Sequence, residues 1–502
     1  MRRRDFMKGA ASLAALGWAG AARASEWGQA PDSVAQGLLL ADGVRAESVL
    51  DLFCYGGVGP FESFYVVEDY GRASDPDFAN QQWHLFEAQH EQVFGGCGIP
   101  SDQWLAEFAT DTLGKVVKWG PATLPLRQRS DIMARTRVLV QRHGLEPHEA
   151  AIPLALSGMR LGSPRMAGLG AHVQRYHMDR DTSGRRVPYS YVLYPDNEID
   201  TDNIRAASQV GLHPGSARPL DLRVTSSVDL EALLGRSEVG DFRDQYDRLV
   251  AHYASQAQRR YSLGGTPLRS QAIDDHRFAT ESMASADALM EVLGGDLFAA
   301  IPNQLCGLPT REDTTAMGLR LAAHLLTHPS SPAKHVTVVD GGMIPASGGG
   351  GFDVHSRHLP DTTRNLYSTL SHLVGHINEP EENDPSKIDL DKTMVVLNTE
   401  FGRTPFAQDF TLKGTNHHPY GYVTLLIGGP VGPEQRGILG AIGPDGWADR
   451  YVTPIETRAA VLAAMGLYPF SHESFAIGDL RERAVEKDGV AWLNEIVLGR
   501  KA

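Results

Sequence analysis

The chain reads as an α/β protein with a central, mostly parallel sheet covered by helices on both faces. Three observations predict this. Short unbroken apolar runs recur between turn residues, helical patterns separate them, and acidic or imidazole side chains sit just past several of the runs. Continuous apolar runs fit strands buried on both sides, whereas a half-exposed sheet alternates with a period of two. A strand, helix, strand order gives three layers with a parallel sheet in the middle.

The elements follow in order. Ser48 to Tyr55 is the first strand, broken by Gly56-Gly57. Arg127 to Arg142, with Ile132, Met133, Val138, Leu139 and Val140 set between charges, predicts a helix. A second helix starts at His148-Glu149 and runs to Leu156. Tyr191 to Tyr194 is a short strand closed by Pro195-Asp196-Asn197, and 227–261 and 280–293 are mostly helical. The helix Thr314 to Leu326 feeds a β-branched strand, His335 to Val339. Asp361 to Ile377 is helical, and the acidic, turn-like Glu379 to Pro385 is a surface loop before the strands Thr393 to Leu397 and Tyr422 to Ile427.

Residues 1–24 read as a signal peptide. Arg2-Arg3-Arg4-Asp5-Phe6-Met7-Lys8 precedes a weakly apolar run and the small-x-small pattern Ala22-Arg23-Ala24. The run is too short and weak for a membrane span, and the arginine pair resembles a twin-arginine signal. The expected location is the periplasm or the extracellular space, with no stable transmembrane segment after cleavage. Residues 25–47 then form a lead-in, and 48–502 a single large domain with helical insertions around 227–330.

Removing five basic residues and one acidic residue with that leader takes the formal charge from -14 to -18. Such an acidic chain is unlike a nucleic-acid binder, although a bound cation would let it accept a small or polymeric anionic substrate. The cysteines are Cys54, Cys97 and Cys306. An odd count excludes a fully paired scaffold, and the sequence does not choose among single bridges. There is no CxxC, dinucleotide fingerprint, Walker A, GxSxG elbow or HExxH, which removes the common redox, nucleotide, serine-hydrolase and zincin readings.

Sites in open parallel sheets lie beyond the carboxyl ends of strands. Four segments meet that rule: Gly56 to Phe64, Gly350 to His355, Thr399 to Thr404 and Gly414 to Gly421. Asp353 and His355 are two apart and share a side of an extended chain. Glu400 lies three residues past a buried strand, where a carboxylate needs a partner or solvent. Arg403 is placed to pair with Glu400 or to clamp an oxyanion. Of His417 and His418, one points inward and the other outward.

The candidate metal ligands are therefore Glu62, Asp353, His355, Glu400, His417 and His418, with His148 and Arg403 as candidate catalytic groups. The mixed oxygen and nitrogen donors suit a divalent ion, with Zn, Ca, Mg and Mn all admissible. Two readings of the cluster stay open: a metal-linked or catalytic centre, and a salt-bridged loop network that shapes a cleft. His148 is a cleft residue or a helix cap. Ser157 and Ser163 suit helix ends better than nucleophiles, and His372 and His376 suit a partly exposed helix face. Tyr55, Phe64, Tyr65 and Phe401 either line the cleft or fill the core.

The motifs Leu52-Phe53-Cys54-Tyr55-Gly56-Gly57, Gly351-Phe352-Asp353-Val354-His355 and Glu400-Phe401-Gly402-Arg403-Thr404-Pro405, with His417-His418, resemble the DUF1501 family of exported bacterial proteins. The resemblance spans Ser48 to Leu467. That family is distantly similar to the alkaline phosphatase/sulfatase superfamily, which implies an alkaline phosphatase-like sandwich and hydrolysis of a phosphate or sulfate ester. It also implies that Glu62, Asp353, His355, Glu400 and His417 or His418 lie near one metal cleft. Phe401 stands where the superfamily has a ligand, and no hydroxyl nucleophile is evident. What is left is a single-metal hydrolase, or a periplasmic binding or assembly protein that does not turn over.

Overall fold

The computed structural model describes residues 28–31, 34, 38–70, 91–161, 168–180, 191–194, 220–221, 245–246, 248–253, 255–256, 292–293, 295–303, 306, 311–342, 351–406, 414–471 and 474–500. The signal-peptide reading of residues 1–24, Ser163, and most of the helices expected at 227–261 and 280–293 lie outside the described residues.

Eight strands form the central sheet: β1 (Ser48–Cys54), β2 (Thr136–Gln141), β3 (Tyr191–Tyr194), β4 (Leu220–Asp221), β5 (His335–Asp340), β6 (Thr393–Asn398), β7 (Tyr422–Gly428) and β8 (Gly437–Leu439). Their order across the sheet is β8-β2-β7-β6-β1-β5-β3-β4. β7 runs antiparallel to both neighbours, and the other adjacent pairs are parallel. At the centre Leu52 is in register with Leu397 on one side and Val338 on the other.

Side chains alternate from the sheet into two cores. Leu50, Leu52 and Cys54 pack with Leu319 of α3 (Thr314–Thr327) and with Leu366 and Leu370 of α4 (His358–Gly375). Val49 of the same strand packs instead with Ala460, Val461 and Ala464 of α5 (Pro454–Ala464). Helices thus cover both faces, and every residue of β1, β5, β6 and β7 is buried. Local sequence explains the helix starts. Asp313 accepts the Ala316 amide at the start of α3, and Thr453 with Glu456 forms a capping box, followed by Pro454, at the start of α5.

Asp51 is a charged residue in the middle of β1, and the Arg458 fork answers it at 2.8 and 3.3 Å. Burial pushes the Asp51 carboxyl up, and Arg458 works against that. Cys97 and Cys306 form a disulfide across 209 residues of sequence, leaving Cys54 buried and free.

One predicted element is corrected. Arg127 to Arg142 is not one helix: short α-helices at Leu124–Arg127 and Ser130–Ala134 lead into the strand β2. Val138-Leu139-Val140 is buried between β7 and β8, where a compact β-branched run packs well.

Candidate functional site

The segments beyond β1, β2, β5 and β6, and the one leading into antiparallel β7, emerge at one rim of the sheet. Each brings a polar group to the same place. The turn after β1 puts Gly56 and Gly57 at φ 104° and 97°, and a Cβ on Gly56 would stand 2.0 Å from the Asp353 amide. Glycine is therefore required for the 351–355 loop to approach. His148 opens α1 (His148–Ser157), the helix that follows β2.

Asp353 is the hub. Its Oδ1 accepts from Arg403 Nη1 at 2.8 Å and lies 3.0 Å from His355 Nε2 and 3.1 Å from His417 Nε2. Oδ2 faces His148 Nε2 at 3.5 Å. That pair is close enough for charge attraction but does not meet hydrogen-bond geometry, so His148 Nε2 is buried without a hydrogen-bond partner. Burial opposes the Asp353 charge, but the surrounding histidines and Arg403 outweigh it and hold the carboxyl well below the usual range. Burial also opposes a charge on His148, yet Asp353 and Glu400 push it up to about 10. These two carboxylates attract a positive charge at this point.

The far side of each imidazole fixes its tautomer. His148 Nδ1 lies 2.9 Å from Glu400 Oε1, and His417 Nδ1 lies 3.0 Å from the Glu146 carbonyl. Both partners are acceptors, so both Nδ1 atoms carry the proton and, in the neutral rings, both Nε2 lone pairs face Asp353. The potential donor atoms of His148, Asp353 and His417 lie within 4.8 Å of one another. Tetrahedral donors about one zinc ion stand ~3.3 Å apart, so small side-chain shifts would bring these onto one ion. One carboxylate and two imidazole nitrogens, one of them the buried, unbonded His148 Nε2, fit a divalent cation.

Phe401 and Tyr55 pack against the imidazoles. Phe401 stacks on His417 with centroids 4.4 Å apart, and Tyr55 stacks on His148 at 5.2 Å. Phe64 and Tyr65 belong to the core cluster instead.

Several candidate residues take other places. Glu400 is fully buried, its Oε1 accepting from Gly56 N and His148 and its Oε2 lying 3.2 Å from the Thr399 hydroxyl. It orients His148 rather than completing the donor group. His418 turns away, with Nε2 2.7 Å from the Gly446 carbonyl, because adjacent residues on the strand His417–His418 point to opposite sides. Glu62 meets His358 Nε2 at 2.5 Å instead of Asp353. Arg403 does not pair with Glu400. Its guanidinium binds Asp353, the Gly56 carbonyl, and the hydroxyl and carbonyl of Thr415, so it is no free clamp for an oxyanion.

Three contributors are missing from the sequence reading. His358 and Thr415 link Glu62 to Arg403: His358 Nδ1 lies 2.9 Å from Thr415 Oγ1, which accepts Arg403 Nε at 3.2 Å. This chain of contacts ends on Asp353. His143, after β2, bonds the Glu400 carbonyl through Nε2 at 2.7 Å. Thr415 falls within the Gly414 to Gly421 segment without being singled out, while His358 and His143 lie in none of the four segments; the three reach the site through tertiary packing.

Residues 341–483 match the family described as "Protein of unknown function (DUF1501)". The matched segment holds Asp353, His355, His358, Glu400, Arg403, Thr415 and His417, while Glu62, His143 and His148 precede it. No curated protein matches the chain.

Proposed function

We propose that the chain is an exported, metal-dependent hydrolase of an anionic ester, with one divalent cation held by His148, Asp353 and His417. The observation that carries this reading is a geometry: Glu400 and the Glu146 carbonyl engage the Nδ1 atoms of His148 and His417, and both Nε2 atoms face the one Asp353 carboxylate. A bound divalent cation would activate water and neutralise the charge developing on an ester oxygen.

The protein's own groups serve that site in definable ways. Glu400 fixes the His148 ring. Glu62, His358, Thr415 and Arg403 hold Asp353 in place. Phe401 and Tyr55 keep water from the backs of the imidazoles. His355, at 29% side-chain exposure, is the imidazole of the group most open to an incoming molecule. The resemblance to the alkaline phosphatase/sulfatase superfamily, with its three-layer sandwich, supports a phosphate or sulfate ester as substrate. The leader sequence and the Cys97–Cys306 bridge support export to an oxidising compartment. Among the described residues no helix is long and apolar enough to cross a membrane.

A non-catalytic periplasmic binding or assembly role is the second reading. It is favoured by Arg403, whose donors are taken up internally. The test is hydrolysis of p-nitrophenyl phosphate and sulfate with added zinc, manganese, magnesium or calcium. The hydrolase reading expects cation-dependent turnover that EDTA removes and Asp353→Asn abolishes. Cation binding without turnover of any ester would support the binding role instead.

A further inference from the structure

Arg142, His143 and Gly144, in the segment that leads to His148, line a cavity of about 840 Å³. That volume is typical of small-ligand sites. Arg142, His143, Arg160, Tyr420, Tyr451 and Arg481 are among its walls.

The charges there are unevenly compensated. Arg481 is met by Glu456, 3.2 Å from its Nε. Arg142 and Arg160 form no ion pair among the described residues. Arg142 is held in position by other means: its guanidinium lies 5.0 Å over the Trp447 ring and 5.3 Å over Tyr451, and Nη1 donates to the Ala448 carbonyl at 3.1 Å. Tyr420 stacks flat on Trp447 at 4.3 Å. Asp479 is the acidic wall residue, and its Oδ2 accepts the Ala476 amide. His143 adds no charge. Its Nδ1 accepts the Leu145 amide at 3.0 Å, its Nε2 donates to the Glu400 carbonyl, and burial keeps its pKa down to about 4.

In a chain of net charge -14, two uncompensated guanidiniums on one cavity single it out as a place for an anion. The Tyr451 ring is covered by the Arg142 and Arg481 guanidiniums, and the Tyr420 ring, stacked on Trp447, adds flat apolar surface. A pyranose ring bearing a carboxylate or sulfate offers an apolar ring face and a forked anion together. We propose that this cavity binds an acidic saccharide, with its anionic group against Arg142 and Arg160. The assignment concerns binding and does not depend on turnover at the histidine group.

Calorimetric titration of the full chain in EDTA, with trigalacturonate, a sulfated heparin disaccharide and neutral maltotriose, tests it. At least one anionic probe binds and maltotriose does not, and which anion binds identifies carboxylate or sulfate recognition. Arg142→Gln and Arg160→Gln each weaken that binding about tenfold or more. Arg160 is exposed, so Arg160→Gln keeps the fold, which an unchanged melting temperature verifies. Absence of binding by both anionic probes, equal binding of maltotriose, or unchanged affinity in the two variants would each overturn the proposal.

Discussion

Glu400 Oε1 stands 2.9 Å from His148 Nδ1, and the opposite nitrogen of that ring faces Asp353 Oδ2 at 3.5 Å. A carboxylate behind an imidazole raises its basicity and fixes its direction, as it does behind metal-bound histidines. Glu400→Gln keeps an acceptor but loses the charge. The expected result is a loss of about 10- to 100-fold in cation affinity, read by calorimetry with zinc or manganese.

Arg403 joins four groups around Asp353 and is fully buried. Arg403→Met leaves a buried carboxylate without its guanidinium and should cost about 3–5 kcal/mol in urea unfolding. Glu62→Gln acts at the far end of the same chain of contacts, so its effect on stability should be smaller.

How much of this was legible in the sequence depended on range. β1, β5 and β6 were legible because each is a compact apolar run ended by Gly, Asp or Asn. The direction of β7 was not, since an apolar run packs equally well either way. Val138-Leu139-Val140 read as helical because flanking charges mimicked a helical period, and only its neighbours in the sheet decide otherwise. The strand-end rule located Asp353, Glu400 and His417. It could not say that Glu400 would face a histidine or that His418 would face a carbonyl. His358, Thr415 and His143 act through partners 12 to 296 residues away.

Asp340, at the end of β5, accepts from Thr315, Thr369 and the Gly342 amide, yet burial pushes its carboxyl up to about 7. A raised carboxyl favours the folded state at low pH, and that contribution is lost as pH rises through about 7. Asp340→Asn should flatten the decline in unfolding free energy between about pH 4 and 7 and make the protein more stable than wild type at pH 8. Denaturant titrations across that range check it.

The Cys97–Cys306 bridge closes a long loop, and reducing it should cost roughly 2–5 kcal/mol, seen as a lower melting temperature. Thiol titration of the native, unreduced protein should find no reactive group, because Cys54 is buried with its thiol pushed up by burial. In denaturant without reductant one thiol should appear. Three thiols would show that the bridge does not form.

The proposed site places one divalent cation between His148, Asp353 and His417. Elemental analysis of the protein, loaded with zinc or manganese and dialysed, tests it most directly. About one ion per chain is expected in the wild type, and none in His148→Ala or Asp353→Ala variants that still fold. A wild-type protein that retains no ion, or folded variants that retain as much as the wild type, would contradict it.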